Sequence, residues 1–77
     1  MKKLSNLTID DLRRVLRKLG LEYQRTKGGH ELWSKPGMKR PVVFQNHLKP
    51  VPEFVVLKLM KTLGIDRNGF VEMLDEI

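Results

Sequence analysis

From Ile9 to Leu19, the apolar residues Ile9, Leu12, Val15, Leu16 and Leu19 recur at three- and four-residue intervals, the spacing of one helix face. Thr8 precedes them as an N-cap, and Asp11, three residues on, completes a capping box. Gly20 ends the helix as its first residue beyond the C-cap. The period then changes. Leu21, Tyr23 and Arg25 alternate with Glu22, Gln24 and Thr26, which predicts a strand over 21–26 with one buried face. Lys27-Gly28-Gly29 is a tight turn, because paired glycines supply the positive φ that a hairpin needs. A second strand runs from His30 to about Ser34, and Pro36-Gly37 centres the next turn. Val42, Val43 and Phe44 form a third strand. Pro41 cannot donate to a ladder and belongs at that strand's start or on an edge. Beyond a loop over 46–50, Val55, Val56, Leu59, Met60 and Leu63 mark a second helix, with Pro52 at its first position and Gly64 at its end. Asp66 caps a third helix whose Phe70, Val71 and Leu74 pack back. Phe54 and Leu57 lie off the main stripe and are expected to be core beneath that last helix.

The order is α-β-β-β-α-α. Two hairpins give a three-stranded antiparallel sheet with one face to bury and only helices to bury it against. The expected fold class is α+β, a two-layer sandwich in a single domain over residues 1–77, with the other sheet face open to solvent or a partner. The chain has no cysteine, hence no disulfide or thiolate metal site, which fits a reducing cytoplasm. Met1-Lys2-Lys3-Leu4 leads into polar residues and not into the apolar core of a signal peptide. No apolar run approaches the ~18 residues of a membrane span, so no membrane association is expected. Charge is uneven. Residues 1–50 carry 12 Lys and Arg against 4 Asp and Glu, while residues 51–77 carry 3 against 5. The basic front suits a polyanion, although a solvated surface explains a charge run equally well.

Candidate chemistry narrows to Lys27-Gly28-Gly29-His30. His30-Glu31-Leu32-Trp33-Ser34 opens like a zinc-protease helix, but Ser34 stands where the second histidine belongs. Gly28-Gly29 precedes a strand and not a phosphate-binding helix. Neither a metal nor a cofactor is expected. A histidine at a hairpin corner is reachable by a bulky polymer and exchanges protons near neutrality. RNA supplies its own nucleophile, the 2′-hydroxyl, so one placed base can promote transesterification. Arg25, Lys27, Lys39 and Arg40 are candidates to hold the phosphate and, with Gly28 and Gly29, to form the RNA-binding set. His47, in the loop before the second helix, is a secondary candidate, with a structural role as its alternative. Trp33 is read as core, or as a stacking or partner contact if it is exposed. Arg13, Arg14, Arg17 and Lys18 are either a solvated helix face or phosphate contacts, with Arg13 and Arg17 kept as secondary candidates.

Several features taken in order resemble the HicA family of bacterial toxins. They are a helix ending Leu19-Gly20, the strand 21–26, Lys27-Gly28-Gly29-His30, Glu31-Leu32-Trp33, Pro36-Gly37, Pro41-Val42-Val43-Phe44, His47, and the helix through Leu57, Leu59 and Leu63-Gly64-Ile65. The resemblance spans roughly residues 8–75. It implies a fold like that of double-stranded-RNA-binding domains and cleavage of mRNA by the histidine of the glycine-histidine motif, here His30. It implies a bacterial cytoplasmic toxin, monomeric when free, whose HicB-like antitoxin covers that histidine. Many members have Ser or Thr where this chain has Gly29, and a second histidine where it has Glu31. Glu31 is therefore expected to set a negative charge beside the phosphate path. A non-catalytic module that binds double-stranded RNA, or a pure protein-interaction module, remains the alternative at this point.

Overall fold

A computed structural model describes residues 4 and 6–76. Lys2 and Lys3, which count toward the basic front, lie outside the described residues, as does the start of the N-terminal segment read as no signal peptide. Helix α1 spans Ile9–Lys18. The Thr8 hydroxyl accepts from the Asp11 backbone N–H at 3.0 Å, and the Asp11 carboxylate accepts from the Thr8 N–H at 3.1 Å. The capping box thus satisfies two N–H groups that the helix leaves unpaired. At the other end the Leu21 N–H reaches Leu16 O at 2.9 Å and the Gly20 N–H reaches Arg17 O at 3.0 Å, with Gly20 at φ 90°. This double bond pattern requires a left-handed residue, which explains the glycine.

Leu21 is buried as part of that helix closure. Strand β1 therefore starts one residue later, at Glu22–Lys27, and all six of its residues are exposed. The expected half-buried strand over 21–26 is corrected here. β1 is an edge strand, and its alternation breaks at an irregularity between Tyr23 and Arg25. β2 (His30–Ser34) and β3 (Val42–Gln45) follow, in the antiparallel order β1-β2-β3. β2 and β3 do alternate. Glu31, Trp33, Val42 and Phe44 turn inward, while His30, Leu32, Ser34, Val43 and Gln45 turn to the open face.

Helix α2 spans Glu53–Leu63, and Pro52 is its N-cap with extended backbone, one residue before the expected position. The bond pair that closes α1 recurs here: Ile65 N–H to Met60 O at 3.1 Å and Gly64 N–H to Lys61 O at 3.3 Å. Helix α3, Arg67–Glu76, begins where the Asp66 carboxylate accepts from the Gly69 N–H at 2.7 Å. α3 packs on α1, and α2 packs on β3. Trp33, Phe44, Leu12, Val15, Leu16, Val56, Leu59, Phe70 and Leu74 join one core. α3 lies against α1 and meets α2 at the Arg67–Glu53 pair, and it does not bury the outer side of α2. Phe54 and Leu57 are 71% and 45% exposed, not core as expected. No helix among the described residues is long and apolar enough to cross a membrane.

Candidate active site

The turn between β1 and β2 has φ 57° at Gly28 and 81° at Gly29, the two left-handed residues of a type I′ hairpin. Its twist matches the flanking strands and sets Lys27 directly across from His30. A Cβ at position 29 would meet only ordinary contacts, His47 Nδ1 at 3.8 Å and Asn46 Oδ1 at 3.9 Å. The cost of a side chain there is conformational. Gly29→Ala is expected to destabilise by about 1 kcal/mol. That corresponds to a fall in Tm of roughly 4–8 °C for a domain of this size. Gly28→Asn should stay close to wild type, since asparagine tolerates that region. Thermal melts of the two variants test this, and equal melting points would refute it.

His30 is half-buried on the open sheet face. Its Nδ1 lies 3.3 Å from Gly28 O, and its Nε2 lies 3.4 Å from the Gln45 amide nitrogen. An amide nitrogen can only donate, so Nε2 accepts and Nδ1 carries the hydrogen. This tautomer leaves the basic lone pair on Nε2, the nitrogen that faces the cross-strand neighbour. Arg25 pairs with Leu32 and Lys27 with His30, so both cations share the open face with the imidazole. The Asn46 N–H donates to Gly29 O at 2.8 Å, which ties the segment after β3 to the glycine turn. His47 consequently stands beside Gly29, and both histidines of the chain flank one corner.

Other candidates are placed elsewhere. Lys39 and Arg40 sit in the β2–β3 connection at the far end of the sheet, beside Lys58 and Lys61 of α2. Along β2, at ~3.3 Å per residue, their backbone is about 10 Å or more from that of His30, at the end of the sheet away from the glycine corner. Trp33 is buried on the inner face. Its Nε1 donates to Glu31 at 3.1 Å, Tyr23 meets it edge-on at 5.9 Å, and the Arg17 guanidinium lies 5.4 Å from its centroid. No ring face is left for a base. Arg13 donates to Glu31 and to Asp10, so it is largely committed within the fold. Arg14, Arg17 and Lys18 are exposed, and Lys18 pairs with Glu76.

Glu31 also departs from expectation. The strand alternation turns it away from His30 and buries its carboxylate against α1. Arg13 holds that carboxylate below the usual glutamate range against the opposing effect of burial, and the Trp33 and Asn46 side chains act in the same direction as Arg13. No negative charge from Glu31 reaches the open face. Sequence reasoning missed this pairing. The available signal was the odd period of β2, where a carboxylate falls on the same face as Trp33.

A family model described as the HicA toxin of bacterial toxin–antitoxin matches residues 9–65 of the 77. The chain belongs to the HicA toxin family. Its role is that of a toxin within a toxin–antitoxin system, and the expected resemblance is met. The HicA match runs from the first residue of α1 through the glycine-histidine corner to the residue after Gly64, and stops before α3. No curated protein and no solved structure matches the chain.

Proposed function

We propose that this HicA-family chain is an endoribonuclease that cuts mRNA by transesterification, with His30 as its catalytic group. The observation that carries the reading is the orientation of His30. Its Nε2 lone pair is held on an open face by Gly28 and Gln45, with Lys27 opposite and Arg25 on the same face. The ribose 2′-hydroxyl displaces the long contact from Gln45 at Nε2, and Nε2 takes its proton. The freed oxygen attacks the adjacent phosphorus, and the bond from phosphorus to the 5′-oxygen breaks. That oxygen leaves with a proton, which protonated His30 or nearby His47 supplies. Arg25 and Lys27 offset charge growing on the phosphate oxygens, and the Gly28-Gly29 backbone lets the strand approach closely. The chemistry draws on RNA's own hydroxyl and on side chains of the chain, so we infer that no metal takes part.

Incubating the purified protein with single-stranded RNA in EDTA tests this. The products should carry 2′,3′-cyclic phosphate and 5′-hydroxyl ends. Loss of cutting in EDTA, or 5′-phosphate ends, would contradict it. RNA that binds but stays whole would leave a binding module instead.

The antitoxin is inferred to be HicB-like and to cover the open face of a monomeric toxin in the bacterial cytoplasm. Val43 is 43% exposed beside half-buried Leu32 on that face. An uncovered apolar strip among cations suits a protein partner.

A further inference from the structure

We propose that the groove between the β2–β3 connection and the outer side of α2 is a second phosphate-backbone subsite, which holds the RNA strand away from the cut. Met38, Lys39, Arg40, Lys58, Lys61 and Thr62 line it. Four of these six are cations, and no acidic residue is among them. Elsewhere in the fold, Arg13, Lys18 and Arg67 are each paired with a carboxylate. Among the described residues, none of the four groove cations is in an ion pair. Lys58 and Lys61 lie three residues apart and so share one side of α2, opposite its buried Val56, Leu59 and Met60. Two elements distant in sequence thus bring unneutralised positive charge to one concave surface.

The groove, of about 640 Å³, has the size of a ligand cleft, yet no aromatic ring lines it. It has apolar surface, but four of its six lining residues are cations, which favours a charged ligand over a neutral apolar one. A protein partner needs buried apolar anchors, and the exposed Phe54 and Leu57 lie outside the lining. A polyanionic backbone needs only cations spaced along a track, and charge complementarity therefore selects it. The subsite rests on the ribonuclease reading for the identity of its ligand. Its distance from His30, about 10 Å or more along β2, means that one strand touches both only with different phosphates.

The test uses the full chain carrying His30→Ala, so that RNA stays intact, and a labelled 16-nucleotide single strand. Replacing Lys39, Arg40, Lys58 and Lys61 together by glutamine should weaken binding roughly tenfold or more at low salt. It should also lower the slope of log affinity against log salt by up to about 3. Replacing the three lysines by arginine should keep both. A dinucleotide, whose single phosphate cannot occupy corner and groove at once, should show little difference between the two backgrounds. Unchanged affinity and slope for the long strand would overturn the subsite and leave the His30 reading standing. Unchanged RNA binding with lost antitoxin binding would make the groove a protein surface, which also overturns it. No measurable RNA binding by either protein at low salt would bring down the ribonuclease reading and the subsite together.

Discussion

His30→Ala is expected to lower RNA cleavage by roughly 10²–10⁴-fold, the usual contribution of a positioned general acid–base group. The fold should survive, because His30 is on the open face and its contacts are two long hydrogen bonds at the surface. The variant should therefore melt near wild type and still bind RNA through Arg25 and Lys27. In cells it should be harmless where the wild type stops growth. Gln45→Ala gives a finer reading of the same site. Without the amide donor, only the long contact from Nδ1–H to Gly28 O orients the ring, so activity should fall several-fold while affinity for RNA holds. His47→Ala separates two versions of the mechanism: a large loss assigns the leaving-group proton to His47, and a small one leaves both transfers to His30. If His30→Ala cuts RNA at the wild-type rate, the corner is not the active site.

Much of this corner was legible in the sequence because it depends on local chemistry. Paired glycines require a hairpin whatever surrounds them, and the residue after such a turn begins a strand. His30 at a reachable corner follows from that alone. The two helix ends, Leu19-Gly20-Leu21 and Leu63-Gly64-Ile65, were legible for the same reason, since glycine there reports a left-handed backbone. What failed was tertiary. Tyr23 and Arg25 read as half-buried by alternation, but burial needs a covering layer, and among the described residues no helix packs closely enough on β1 to bury it. Phe54 and Leu57 read as core because apolarity alone does not reveal that α3 turns toward α1. Lys39 and Arg40 are close in sequence to the site strands, yet a strand's length separates its two ends. Composition reveals charge but not at which end of a sheet it gathers.

Glu31 is the position where sequence and structure disagree most usefully, and it carries the largest expected change in stability. Its carboxylate is buried at 2% exposure and receives Arg13 Nε at 3.1 Å, Arg13 Nη2, and Trp33 Nε1 at 3.1 Å. Through these it joins α1 to the inner face of β2. Glu31→Ala leaves the buried Trp33 N–H without an acceptor and Arg13 with only the exposed Asp10 carboxylate as its partner. Breaking one side of such a pair costs about 3–5 kcal/mol. Arg13 is one-third exposed and can turn to water, which puts the expected loss near the lower end. For this length that is a fall in Tm of roughly 12–24 °C. Glu31→Gln keeps an acceptor for Trp33 and should lose less. The pH dependence follows from the direction of the shift. Folding lowers the Glu31 pKa below its ordinary 4.5, so its contribution is present above about 4.5 and is lost as pH falls through the lower folded value. The stability gap between wild type and Glu31→Gln should therefore be full at pH 7 and shrink in acid. Urea melts of both proteins from pH 7 to pH 3 measure it. Two curves that stay parallel over that range would mean that Arg13 and Glu31 are neighbours without being coupled.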